Sequence, residues 1–282
     1  MSAVAATRPD LRPARQLGPK ATPARPSTDL AEEAIALLRR TPAMALLFYY
    51  LGAVPYWLGV MYFVADASRS AFAGERLASS SLIMALLFLH MKCWHAVFGD
   101  RLRAVLIGRG EPWTIGRVLR LIATQAAWQP SGLIVRPIAY VATLPTVWAS
   151  AFYQNLTLLG DGRVEAEGES ATGRAWAQTM LWPMQAHGIY GAMLLFGFFV
   201  WVNVTVVLAM LPSLLKMLFA WETMASRNQY WWTNSTFFAV TFALAFLLLD
   251  PLWKCIFALR CFYGESIRSG ADLRVLLKGV RR

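Results

Sequence analysis

Residues 231–277 read WWTNSTFFAVTFALAFLLLDPLWKCIFALRCFYGESIRSGADLRVLL, and this stretch decides the fold. An aromatic pair and an Asn-Ser-Thr start precede an uncharged run, 237–249, that with its flanks is long enough to cross a bilayer. Asp250-Pro251 follows, then an aromatic-rich segment carrying Lys254 and Arg260, then a small amphipathic tail. The pattern predicts a membrane span, a break at Asp250, and a basic surface helix in succession.

The rest of the chain has the same character. It is 57% hydrophobic and 15% charged over 282 residues, against the roughly 25% charged residues of a soluble domain. The apolar residues sit in blocks, so the expected class is all-α, a polytopic transmembrane helical bundle with interfacial amphipathic helices. A transmembrane β-barrel would read as short alternating segments, and these runs do not alternate. The net charge of +11 is concentrated at the ends, with seven of the 27 lysines and arginines in the first 40 residues and six in the last 23. That distribution points to anionic lipid headgroups and two cytoplasmic termini, with the lipid bilayer as the partner and no nucleic acid.

Residues 1–27 hold Pro9, Pro13, Pro19, Pro23 and Pro26 among arginines and alanines, which predicts a disordered basic arm. Thr28 or Asp29 is expected to cap a short helix whose apolar face is Leu30, Ala34, Leu37 and Leu38. Apolar spans are then expected near 43–65, 80–97, 138–159 and 189–211, before the last one. The stretch 113–135 is ambiguous because Arg117 and Arg120 interrupt it. Counting it as a crossing puts most basic flanks on one side, so about six spans are expected; five spans with a re-entrant segment are the alternative. The helical domain is then 28–260, followed by a basic cytoplasmic tail at 261–282. There is no secretory signal pattern, so the first span is expected to serve as the insertion signal.

Several strings resemble a little-described family of bacterial inner-membrane proteins: FVADASRSAFA, LWPMQAHG, LPSLLKMLFAWET, NSTFFAV and DPLWKCIFALRCFYGESIRSGADL. The resemblance runs through most of the chain after Tyr49. It implies a multi-pass protein of the bacterial inner membrane, from gene neighbourhoods encoding MoxR-type AAA+ ATPases, von Willebrand factor A-like proteins and transglutaminase-associated membrane proteins. The closing pattern also resembles, more distantly, glycerophosphodiester phosphodiesterase membrane-domain proteins. No catalytic residue carries over from either.

The residues that could carry chemistry are few. Asp250, with Lys254 one helical turn later, reads either as an intramembrane ion or proton relay or as a helix cap followed by proline at the first helical position. His90, Lys92 and His95 form a polar cluster expected at the membrane interface, with Lys92 snorkelling to the headgroups. His90 and His95 are five apart and do not share a helix face, and the three cysteines lack metal-ligand spacing, so neither metal nor cofactor is expected. Asp161, Glu165, Glu167 and Glu169 read as a solvated loop. The chain has no GxSxG, HExxH or phosphate loop, and no catalytic residue is assigned. The leading expectation is a non-enzymatic scaffold or accessory subunit of a MoxR-ATPase-associated membrane complex, docking through Arg260, Arg268 and Arg274. The alternative is a small permease or lipid-handling transporter using Asp250 and Lys254.

Overall fold

The structure, a computed structural model, describes residues 24–142, 147–164, 169–223 and 231–280. Most of the basic arm, together with Glu165 and Glu167, lies outside the described residues. Among the described residues the chain is all-α, with ten helices and no strand. In order they are α1 (Ser27–Arg40), α2 (Ala43–Arg69), α3 (Ala73–Ile107), α4 (Ile115–Trp128), α5 (Gly132–Ala142), α6 (Trp148–Leu159), α7 (Ala171–Leu181), α8 (Pro183–Phe219), α9 (Ser235–Ser269) and α10 (Ala271–Val280).

Four of these, α2, α3, α8 and α9, are long and apolar enough to cross a membrane. The expected additional crossings are not single long helices. The 113–135 stretch divides between α4 and α5, and the 138–159 stretch between α5 and α6. With 14 and 11 residues, α4 and α5 are about 21 and 17 Å long, short of a hydrocarbon core of about 30 Å. The reason is a polar seam that sequence hydropathy averages away. Gln125 Nε2 donates to the Gly160 carbonyl at 3.0 Å, and Gln129 Nε2 donates to Thr157 Oγ1 at 2.9 Å. Tyr140 and Ser150 join their hydroxyls at 2.7 Å further along. The α4–α5 arm therefore runs antiparallel to α6.

The second departure is at Asp250-Pro251. Instead of a break, α9 is one helix of 35 residues with Pro251 in its interior. Its cap is Asn234, whose side chain accepts from the Thr236 N–H at 3.0 Å. Pro251 removes one helical donor, but the helix continues because the freed carbonyl of Leu247 is met by a neighbouring helix. Asp250 pairs with Lys254 one turn on, faces His95 of α3, and has no helix terminus to cap. At the other end of the chain, α1 begins at Ser27 after Pro26 with no side-chain cap bond, so neither Thr28 nor Asp29 caps it.

The core is organised around the second half of α9, where Cys255, Ile256, Phe257 and Leu259 are buried. Leu30, Ala34 and Leu37 of α1 pack onto it, as the apolar spacing predicts, with Phe98 and Leu102 of α3 and Tyr49 of α2. Close approach of α2 and α3 depends on Gly52, where a Cβ would lie 2.6 Å from Trp94 Cβ and 3.2 Å from the Met91 backbone. In contrast, no residue of α8 from Leu194 to Leu211 is buried. Bare leucines and phenylalanines over that length need an apolar solvent, which a bilayer supplies.

Candidate functional site

Asp250 lies at the middle of α9 and is 5% exposed; Lys254, one turn on, is 1% exposed. The Lys254 ammonium stands 3.6 Å from Asp250 Oδ1 and donates to Gln154 Oε1 of α6 at 2.6 Å. The other carboxylate oxygen, Asp250 Oδ2, faces His95 Nδ1 of α3 at 3.9 Å. His95 is itself stacked on Tyr49 of α2, ring centroids 4.7 Å apart and nearly parallel. One turn back on α3, Lys92 is also buried, its ammonium 5.3 Å from the Phe88 ring centroid. Four helices thus converge on one carboxylate. A lone ion at this depth would be costly, and pairing inside the bundle is what makes Asp250 tolerable.

Beside this constellation a cavity of about 900 Å³ opens between α8 and α9. Its walls are almost entirely apolar, with Leu194, Phe198, Phe242 and Phe246 prominent. Its polar end is made by Asp250, Gln154, Ser150, Tyr190 and Arg136. Arg136 comes from α5, packs its guanidinium 4.8 Å from the Tyr153 ring centroid, and forms no ion pair among the described residues. Trp201 Nε1 donates to Thr241 Oγ1 at 3.1 Å, tying α8 to α9 away from the polar end.

A second charged network sits near the far end of α3. Asp100 Oδ1 accepts from Arg117 Nη2 at 2.7 Å and from Arg163 Nη2 at 2.5 Å. Arg163 Nε also reaches Asp161 Oδ2 at 2.7 Å, and Arg117 Nε donates to the Asp161 carbonyl at 3.2 Å. Burial opposes the charge on Arg163, but its bond to Asp100 and the neighbouring carboxylates outweigh that and hold it above its ordinary value. Asp161 is buried, not solvated as expected, whereas Glu169 is exposed. The network locks the turn after α6 to α3 and α4, with Gly162 (φ 73°) packed so closely on the Arg117 carbonyl that no side chain fits. Every charge in it is committed to a neighbour, which suits a structural clamp.

The expected polar cluster on α3 separates into two faces. Lys92 and His95, three apart, turn inward to Asp250, so Lys92 does not snorkel. His90 stays outside and accepts from Trp94 Nε1 at 2.8 Å. Arg260, expected on an exposed docking surface, is 1% exposed and donates to the Trp182 carbonyl at 3.1 Å and to Gln185 Oε1 at 3.3 Å. Arg274 is exposed, and the side chain of Arg268 lies outside the described part. Sequence reading missed Gln154, Arg136 and Tyr49. A signal existed for Arg136, an arginine inside the apolar run GLIVRPIAYVA; Gln154 and Tyr49 carry none. Cys255 and Cys261 are buried and Cys93 half-buried, all as free thiols, and no group of three potential metal ligands occurs among the described residues. Comparison with protein-family models, curated proteins and solved structures returns no match to this chain.

Proposed function

We propose that this chain is a small lipid-handling permease that moves an amphiphile along the crevice between α8 and α9, with Asp250 and Lys254 as its charged working pair. The observation that carries this reading is the position of Asp250. It is buried in mid-helix, pairs with Lys254, faces His95, and lies at the polar end of a cavity whose other walls are apolar. Charges at such depth are characteristic of translocation pathways, and an apolar crevice with one polar end matches the shape of an amphiphile.

In this reading α2, α3, α8 and α9 cross the membrane, and the arm formed by α4 and α5 returns through α6 on one side. The even number of crossings keeps both termini on the same side. Among the described residues Arg69, Arg76 and Lys216 then lie toward the opposite face, and most other basic residues lie on the cytoplasmic side, as the positive-inside tendency favours.

The test is transfer of acyl-labelled phosphatidylglycerol between leaflets of proteoliposomes, followed by dithionite bleaching. The protein should let bleaching proceed past the outer-leaflet half, and Asp250→Asn should abolish this while eluting as a folded species. Wild-type vesicles that behave like empty ones, or an unchanged rate in Asp250→Asn, would overturn the reading.

A second reading is a non-enzymatic scaffold or accessory subunit in a complex with a MoxR-type ATPase and neighbouring membrane proteins. Its support is the sequence resemblance and the exposed Leu273, Arg274 and Leu277 on α10. Affinity purification from native membranes, compared with Arg274→Glu, tests it: stoichiometric recovery of an ATPase that the variant loses would favour this reading over an autonomous permease.

A further inference from the structure

The polar end of the cavity is incompletely partnered. Arg136 and Asp250 line it together, and no second carboxylate lines it among the described residues. Lys254 is satisfied by Asp250 and Gln154. Arg136 is not: its Nε and Nη2 are shielded from solvent and have no hydrogen-bond partner. Trp253 Nε1, on another residue lining the same cavity, is likewise a buried donor without an acceptor. Unmet donors beside an apolar space are costly, each forgoing the hydrogen bond that water would supply. Asp250 Oδ2 lines the same cavity and also lacks a hydrogen-bond partner, so the lining carboxylate does not meet these donors and an acceptor from outside the chain would.

The space next to these donors also constrains the ligand. It continues from Arg136, past Tyr190 and Trp253, along Leu194 and Phe198 of α8 and Phe242 and Phe246 of α9. Those α8 residues face outward, since Leu194 is 78% exposed and Phe198 54%. The crevice therefore opens sideways, toward the surface that a bilayer would cover. At Gly197, which lines the crevice, a Cβ would make ordinary van der Waals contact with Leu249 Cδ1 at 3.4 Å, so a larger side chain there would extend into the space between the helices.

From these features, and resting on the permease reading above, we infer that the crevice holds an anionic membrane lipid. Its phosphate sits on the Arg136 guanidinium and its acyl chain lies between α8 and α9. Arginine suits this role because its planar fork meets two phosphate oxygens at once and keeps its charge at depth. A zwitterionic lipid would bring its own cation beside the Arg136 guanidinium, so the site discriminates by headgroup charge. A free inorganic anion would leave the apolar crevice unfilled.

The test is native mass spectrometry of the full-length protein released from vesicles of phosphatidylglycerol and phosphatidylethanolamine in equal parts. Wild type should carry phosphatidylglycerol in preference. Arg136→Gln should lower its retention by roughly tenfold or more, the scale of one lost charge-assisted contact, and Arg136→Lys should keep part of it. Gly197→Leu, which fills the crevice without altering charge, should lose the lipid as well; both variants are compared only as folded, wild-type-eluting species. Equal retention of the two lipids, or retention indifferent to Arg136 and Gly197, would overturn the inference while leaving leaflet transfer untouched. Conversely, selective retention without transfer would uphold the site and count against the permease.

Discussion

The Tyr50 hydroxyl of α2 donates to the Leu247 carbonyl of α9 at 3.4 Å. Leu247 stands four residues before Pro251, so its carbonyl is the one that proline deprives of a helical N–H. A hydrogen bond between helices thus replaces one lost within a helix. That exchange lets α9 pass through Pro251 and carry Asp250 into the centre of the bundle.

Tyr50→Phe should therefore destabilise the protein by about 0.5–1.5 kcal/mol, the net value of one intramolecular hydrogen bond. In a Pro251→Ala background the residue 251 N–H becomes available to Leu247, and the same substitution should cost little. Thermal unfolding in detergent for all four members of the cycle checks this; equal penalties in both backgrounds would deny Tyr50 the role.

Lys254→Met leaves Asp250 and Gln154 without their shared cation and should cost about 3–5 kcal/mol, typical of breaking a buried ion pair from one side. Adding Asp250→Asn removes the stranded charge and should recover most of the loss. The comparison is read from detergent unfolding temperatures and monodisperse yield. A double variant no better than the single one would show that the pair is not the stabilising unit.

Asp100 serves two guanidiniums at once, from Arg117 and Arg163. Asp100→Ala should cost about 1.5–3 kcal/mol, the range for hydrogen bonds to charged groups, because Asp161 still faces both guanidiniums. Glu111→Ala should stay within about 1 kcal/mol, since that carboxylate is 56% exposed and screened by solvent. The same unfolding assay, repeated at high salt, should show the Asp100 effect persisting and the Glu111 effect shrinking.

Gly52→Ala places a methyl group against Trp94 Cβ and the Met91 backbone, and should cost about 1–3 kcal/mol through forced separation of α2 and α3. Gly191→Ala has open space around its new methyl and should be neutral or gain up to about 1 kcal/mol from helix propensity. A matched pair of unfolding curves distinguishes the two sites.

Much of the fold was legible in order along the chain. The apolar blocks gave α2, α3, α8 and the first half of α9, because hydropathy over some twenty residues is a local property. The spacing of Leu30, Ala34 and Leu37 gave the buried face of α1 for the same reason. Hydropathy also marked 113–135 and 138–159 as apolar spans, where the structure has short helices in place of long ones. It cannot register that Gln125 and Gln129 on one arm answer Gly160 and Thr157 on another, which lets a polar seam hold α4, α5 and α6 as short helices.

The candidate site was half visible. Asp250 and Lys254 are neighbours on one helix, and their spacing already paired them. Lys92 and His95 were noticed but assigned to the interface, since a sequence cannot say which face of α3 meets another helix. Asp250-Pro251 was open to a capping reading because capping preferences are local statistics, whereas the partner that rescues the Leu247 carbonyl lies on another helix. Composition and periodicity therefore determined by themselves that this chain is helical, apolar and suited to a membrane. Tertiary structure alone decided that Asp250 is buried, that His95 and Gln154 reach the pair from different helices, and that Arg136 lines an apolar crevice with no ion pair among the described residues. Desolvation makes those contacts matter, and desolvation exists only once separate helices have closed around the charge.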